Sequence, residues 1–159
     1  MIHVEVSAPV YPTEDPEKVA VGISKLFSGI EIERKSLGVA EPGKGPSPSF
    51  SLSGHGGLDL LLSLHELIRR EAIIDSIRNK VFSKGLSCEG LSVRFFLNKQ
   101  VAFVGVPSIP AEEGSLGSIE VLIKADSPEE LERLIEWLLP LTEDGKPVVE
   151  VGMDYVERE

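Results

Sequence analysis

The chain has 159 residues, 42% apolar and 26% charged, with a net charge of −10. This suits one globular domain with a buried core and excludes a disordered chain, and the acidity disfavours nucleic-acid binding through bulk charge. No apolar run approaches the roughly 20 residues of a membrane helix, and the start lacks a basic-then-apolar leader, so a cytoplasmic protein is expected.

One cysteine, Cys88, excludes an internal disulfide and a cysteine-based metal site. The three histidines (His3, His55, His65) have no helical ligand spacing, and no metal or cofactor is expected. Scarce Asn, Gln, Cys and Met beside abundant Glu gives the composition of a thermophile's protein.

In chain order, Ile2 to Tyr11 alternates apolar and polar residues with the two-residue period of a half-buried strand. Asp15-Pro16-Glu17 then starts a helix, with Asp15 as its cap and Val19, Ala20, Ile23, Leu26 and Phe27 on one stripe. Gly29 is placed to stop it, and Ile30 to Ser36 follows as a strand. Residues 37–49 carry three prolines and three glycines and are expected to form a surface loop.

Phe50 to Ser53 makes a short strand, and Gly54-His55-Gly56-Gly57 opens a helix. Leu58 to Arg70 and Glu71 to Lys84 are two amphipathic stretches with no breaker between them, either one kinked helix or two meeting near Arg70. Ser92 to Pro107 is then expected to be a hairpin, with strands Val93 to Leu97 and Val101 to Val106 joined at Asn98-Lys99-Gln100. That turn holds two of the chain's three carboxamides. Ser108 to Gly117 is a loop carrying Glu112 and Glu113, and Ser118 to Ala125 a strand. Ser127-Pro128-Glu129-Glu130 is a capping box, whose helix Pro140 ends. Residues 141–159 are expected to hold a turn at Asp144-Gly145, then a last strand or a tail from Val148 to Val156.

The charge is unevenly placed. Met1 to Asp59 carries −3, Leu60 to Gln100 carries +3, and Val101 to Glu159 carries −10. The basic third supplies Arg69, Arg70, Arg78, Lys80 and Lys84 on helices and Arg94 and Lys99 on the hairpin, a set suited to phosphates. A solvated face with local ion pairs is the plainer account. Phe95, Phe96 and Phe103 are stacking candidates, although neighbours on a strand face opposite ways and core is their default. Gly54 to Gly57 lacks the Gly-Lys-Ser/Thr ending of a nucleotide loop, and no serine sits in a nucleophile elbow. No catalytic constellation emerges.

Three stretches together carry a resemblance: Arg70 to Arg78, Leu97-Asn98-Lys99-Gln100 through Gly105, and Gly117 to Val121 leading to Ile135 through Pro140. They resemble an archaeal family of uncharacterised proteins described as a predicted RNA-binding exosome subunit, with a fold like ribosomal protein L five. Pro12 to Val19 matches as well, so the likeness spans nearly the whole chain. It implies an α+β fold, mostly antiparallel sheet with helices packed on one face, in agreement with the element order. It also implies a non-enzymatic RNA-binding accessory protein linked to RNA processing. The RNA-contacting residues expected, from the local basic excess and the carboxamides at the turn, are Arg69, Arg70, Arg78, Lys84, Arg94, Asn98, Lys99 and Gln100. The alternatives are a module that binds a protein partner or assembles as a homo-oligomer, and an enzyme acting on a phosphorylated small molecule at Gly54 to Gly57.

Overall fold

A computed structural model describes residues 1–36, 50–110 and 118–157. Its five principal strands are β1 (His3–Val10), β2 (Glu33–Ser36), β3 (Phe50–Gly56), β4 (Ser92–Asn98) and β5 (Ser118–Lys124). They form one antiparallel sheet in the order β2–β3–β1–β5–β4. The expected α+β class is the one observed.

Alternation decides which face is buried. Val4, Val6, Ala8 and Val10 of β1 point inward beside Ile119, Val121 and Ile123 of β5 and Val93, Phe95 and Leu97 of β4. A one-residue slip would turn all of them to water. The helices cover this inner face. They are α1 (Pro16–Leu26), α2 (Leu62–Arg70), α3 (Ile74–Lys80) and α5 (Pro128–Leu138), joined by the short α4 (Lys99–Ala102) and α6 (Met153–Val156). Ile23, Leu64, Ile68, Ile77 and Leu134 from these helices join the sheet in one core, and each such side chain contributes roughly 1.5–3 kcal/mol on burial. The outer face is mostly polar, with Arg94, Glu5 and His55 beside Leu122 in one cross-strand row.

The two start signals read from sequence are present. Asp15 accepts from the Glu17 amide at 2.9 Å, and Ser127 accepts from Glu130 at 3.2 Å while the Glu130 carboxylate accepts from the Asp126 amide. Gly29 stops the first helix with a positive φ of 86°. α2 and α3 are separate. Their break is a Schellman closure in which Ile73 N–H donates to Ile68 O and Ala72 N–H to Arg69 O, with Ala72 at φ 55° where glycine usually sits.

Three expectations change. Gly54 and Gly56 lie inside β3, paired with Val6 and Val4, and the chain turns helical only at a 3₁₀ turn over Leu58–Leu61. A Cβ at Gly54 would stand 2.6 Å from the Ile30 side chain, and one at Gly56 2.7 Å from Leu60, so these glycines make room for packing. The stretch from Val101 to Val106 is not a strand. Asn98 caps α4 there, and the chain then turns through Gly105 at φ 82°. In place of a last strand, β6 (Thr142–Glu143) and β7 (Lys146–Pro147) pair across Asp144-Gly145, and α6 follows. The expected loop at residues 37–49 and the acidic pair Glu112-Glu113 lie outside the described residues.

Candidate nucleic-acid interface

The end of β4 builds the first part of the site. Asn98 Oδ1 accepts from the amides of Gln100 at 2.9 Å and Val101 at 3.2 Å, so its side chain caps α4. Lys99 points inward and is 3% exposed. Its ammonium donates to Pro9 O at 2.7 Å and to Glu14 Oε1 at 2.8 Å, with the Tyr11 ring 5.4 Å away. Lys99 and Asn98 therefore hold the turn together, and of the expected tip Gln100 is exposed while Asn98 is half-buried.

The short helix packs against α1 because Gly22 lets it in. A Cβ there would lie 3.1 Å from Ala102 Cβ and from the Phe103 amide. Phe103 consequently emerges 38% exposed, beside Val104 at 65%. The Lys18 and Lys25 ammonium groups sit 5.6 and 5.4 Å from the Phe103 ring centroid, and Lys25 also donates to Phe103 O at 2.8 Å. Arg70 reaches the same corner through a bond to Gly105 O at 3.1 Å, with a loose contact to Glu71 at 3.4 Å. An exposed ring ringed by cations can offer stacking and phosphate contacts together.

Lys84 and Arg94 meet elsewhere. With Ser87, Ser92 and Leu122 they line a cavity of about 210 Å³ at the β4 edge, where Arg94 also pairs with Glu120 at 3.0 Å. Arg69 and Arg78 are committed to the fold. Arg69 donates to His65 O, Leu138 O and Trp137 O and grips Glu150, while Arg78 donates to Leu139 O at 2.6 Å and lies over the Phe82 ring. The Arg69 bond holds the Glu150 carboxyl below its ordinary value of 4.5. His65, stacked on Trp137 at 4.5 Å, is pushed below 6.5 by burial and then by the Arg69 charge.

The eight expected residues thus separate. Arg70 and Gln100 fall at the α1–α4 corner and Lys84 and Arg94 at the β4 edge, whereas Arg69, Arg78, Asn98 and Lys99 are engaged by hydrogen bonds within the fold. Sequence reasoning missed Lys18 and Lys25. Their spacing of seven on α1 puts them on one helical face, and that signal was available.

A family model described as RNA binding matches residues 3–125. A protein of the UPF0201 family from Methanosarcina acetivorans is 73% identical over 158 residues, covering 99% of this chain and 96% of that one. The chain belongs to the UPF0201 family. A UPF0201 protein from Methanopyrus kandleri is 38% identical over 151 residues, covering 94% of this chain and 92% of its own length. The crystal structure of a UPF0201 protein from Methanococcus jannaschii superposes with a TM-score of 0.74 at 28% identity, covering 92% of this chain and 99% of that one. Among the described residues no group of three or more His, Cys, Asp and Glu is placed to hold a metal ion, and no helix is long and apolar enough to cross a membrane.

Proposed function

We propose that this UPF0201 chain is a non-enzymatic RNA-binding accessory protein whose principal contact is the α1–α4 corner. The observation that carries the assignment is Phe103, exposed and flanked by Lys18 and Lys25 with Arg70 beside it. The description of the matching family model supports RNA as the ligand. A place in RNA processing beside the archaeal exosome is the finer part of the proposal and rests on the family resemblance alone. The net charge of −10 does not forbid it, because charges beyond the roughly 8 Å screening length at physiological salt contribute little at the corner.

Lys18, Lys25 and Arg70 take phosphates and Phe103 stacks on a base. Fluorescence anisotropy with a labelled single-stranded RNA across a salt series tests this. Affinity should fall as salt rises, and a Lys18→Glu, Lys25→Glu double variant should lose at least about tenfold and flatten the salt slope by roughly 1.4, for two phosphates at about 0.7 each. Absence of salt-dependent binding in the unaltered protein defeats the RNA assignment. Unchanged binding in the double variant moves the site away from the corner, and a Lys84→Glu, Arg94→Glu variant then tests the β4 edge.

Self-association is the second reading. Leu141, Val148 and Val149 stand 59–66% exposed around the β6–β7 pair, on the arm that carries Glu150. A second copy would cover them. Light scattering at the monomer mass counts against this reading.

A further inference from the structure

The cavity beside Phe103 has a composition that a phosphate does not suit. It encloses about 310 Å³ and is lined by Glu14, Asp15, Lys18, Lys99, Gln100 and Phe103, with Val19. That volume is at the small end of the roughly 300–1,000 Å³ typical of ligand pockets. Two carboxylates in the wall offset its two ammonium groups, so the cavity presents no net positive charge to an anion. The same wall offers ammonium donors, carboxylate acceptors, a carboxamide that does both, and an aromatic ring, which together fit a flat neutral ligand with its own donors and acceptors.

Lys99 adds an independent observation. Its side chain is 2% exposed, and an ammonium has three N–H donors. Among the described residues Pro9 O and Glu14 accept hydrogen bonds from it, and the Tyr11 ring centroid lies 5.4 Å away. A buried donor with capacity left over, in the wall of a cavity, favours an acceptor atom on a ligand. Gln100 is exposed on the first turn of α4 and lines the same cavity.

We propose that this cavity receives one unpaired nucleobase, stacked against Phe103 and hydrogen-bonded by Lys99, Gln100 and the Glu14–Asp15 carboxylates, while the backbone phosphates stay outside on Lys18 and Lys25. The assignment rests on the RNA-binding function above and specifies what that corner recognises. A base held in a duplex has its edge engaged and its faces stacked, so it cannot enter. The protein therefore discriminates single-stranded or bulged RNA from a perfect duplex, and it needs a base as well as a phosphate chain.

The test compares three labelled probes of equal length in anisotropy titrations with the full chain: a single-stranded RNA, the same RNA as a perfect duplex, and an abasic phosphodiester. The expected result is strongest binding to the single strand, about tenfold over the abasic chain, from the stacking worth of one base. Gln100→Ala and Phe103→Ala, both at exposed positions, should each shrink the ratio of single-stranded to abasic affinity. Equal affinity for the single-stranded and abasic probes overturns the base pocket and leaves the phosphate-contacting function standing. Binding to none of the probes removes both.

Discussion

The two ends of the helical layer treat their cations in opposite ways. At the C-terminus of α5, where the last helical carbonyls have no partner within the helix, Arg69 from α2 and Arg78 from α3 reach across to Trp137 O, Leu138 O and Leu139 O. α5 has no basic residue in its own last turn, so these borrowed guanidinium groups supply its cap and complement its dipole. At the α1–α4 corner, Lys25 and Arg70 each give a single bond to one loop carbonyl, and their charges stay near Phe103 and solvent. Arg69 and Arg70 are sequence neighbours with opposite employment. A charge count over residues 60–100 treats them alike, because it cannot see the carbonyls some seventy residues away that engage one of them.

The largest expected effect is at Arg69. Arg69→Met should strand the α5 carbonyls and release Glu150, at a cost of about 3 kcal/mol from several charged hydrogen bonds lost together, or roughly 9 °C in Tm. Calorimetry would measure it, and a shift under 2 °C would mean that the cap is idle. Lys99→Met comes next, at ~2 kcal/mol. This is below the range of roughly 3–5 kcal/mol for breaking a fully buried pair, because the Glu14 side chain keeps 25% of its exposure and can recover water. Urea unfolding should show a lower midpoint with an unchanged slope. Arg70→Met should stay within about 0.5 kcal/mol of the parent, while weakening RNA binding in the anisotropy assay. An Arg70 effect equal to that of Arg69 would erase the distinction between the two ends.

Much of the fold was legible because it is specified locally. The alternation of β1, the stripes of α1 and α5, and the caps at Asp15 and Ser127 all lie within a few residues of what they determine. The break between α2 and α3 was not marked, since Ala72 adopts a conformation usually left to glycine. The misread hairpin is more instructive. Val101 to Val106 has strand-like residues, but Asn98 caps a helix and the smallness of Gly22 lets that helix dock on α1. Tertiary fit outweighed β propensity. Among the residues expected at the interface, the exposure of Gln100 and Arg70 is what their polar side chains suggest, whereas burial of Lys99 follows from Pro9 and Glu14, some ninety residues upstream.

The smallest effect concerns pH and separates the α5 end from the corner once more. His65 has its folded pKa below 6.5, by burial and by the Arg69 charge, and Glu150 has its own below 4.5, by the Arg69 bond. In each case the unfolded chain binds the proton more readily. As pH falls through 6.5 the unfolded state therefore gains a proton at His65 that the folded state resists, and stability drops. A second drop begins below 4.5, where Glu150 protonates in the unfolded chain first and its attraction to Arg69 is lost as pH passes the folded value. Tm measured against pH should show both decrements. His65→Phe, which keeps a ring against Trp137, should remove the upper one alone, and Glu150→Gln the lower. Both act through the α5 latch, so neither variant should alter the pH dependence of RNA binding at the corner. A parent Tm that is flat from neutral pH down to 4.5 would show that the stacked imidazole takes up its proton without cost, and the latch would then be coupled to Glu150 only.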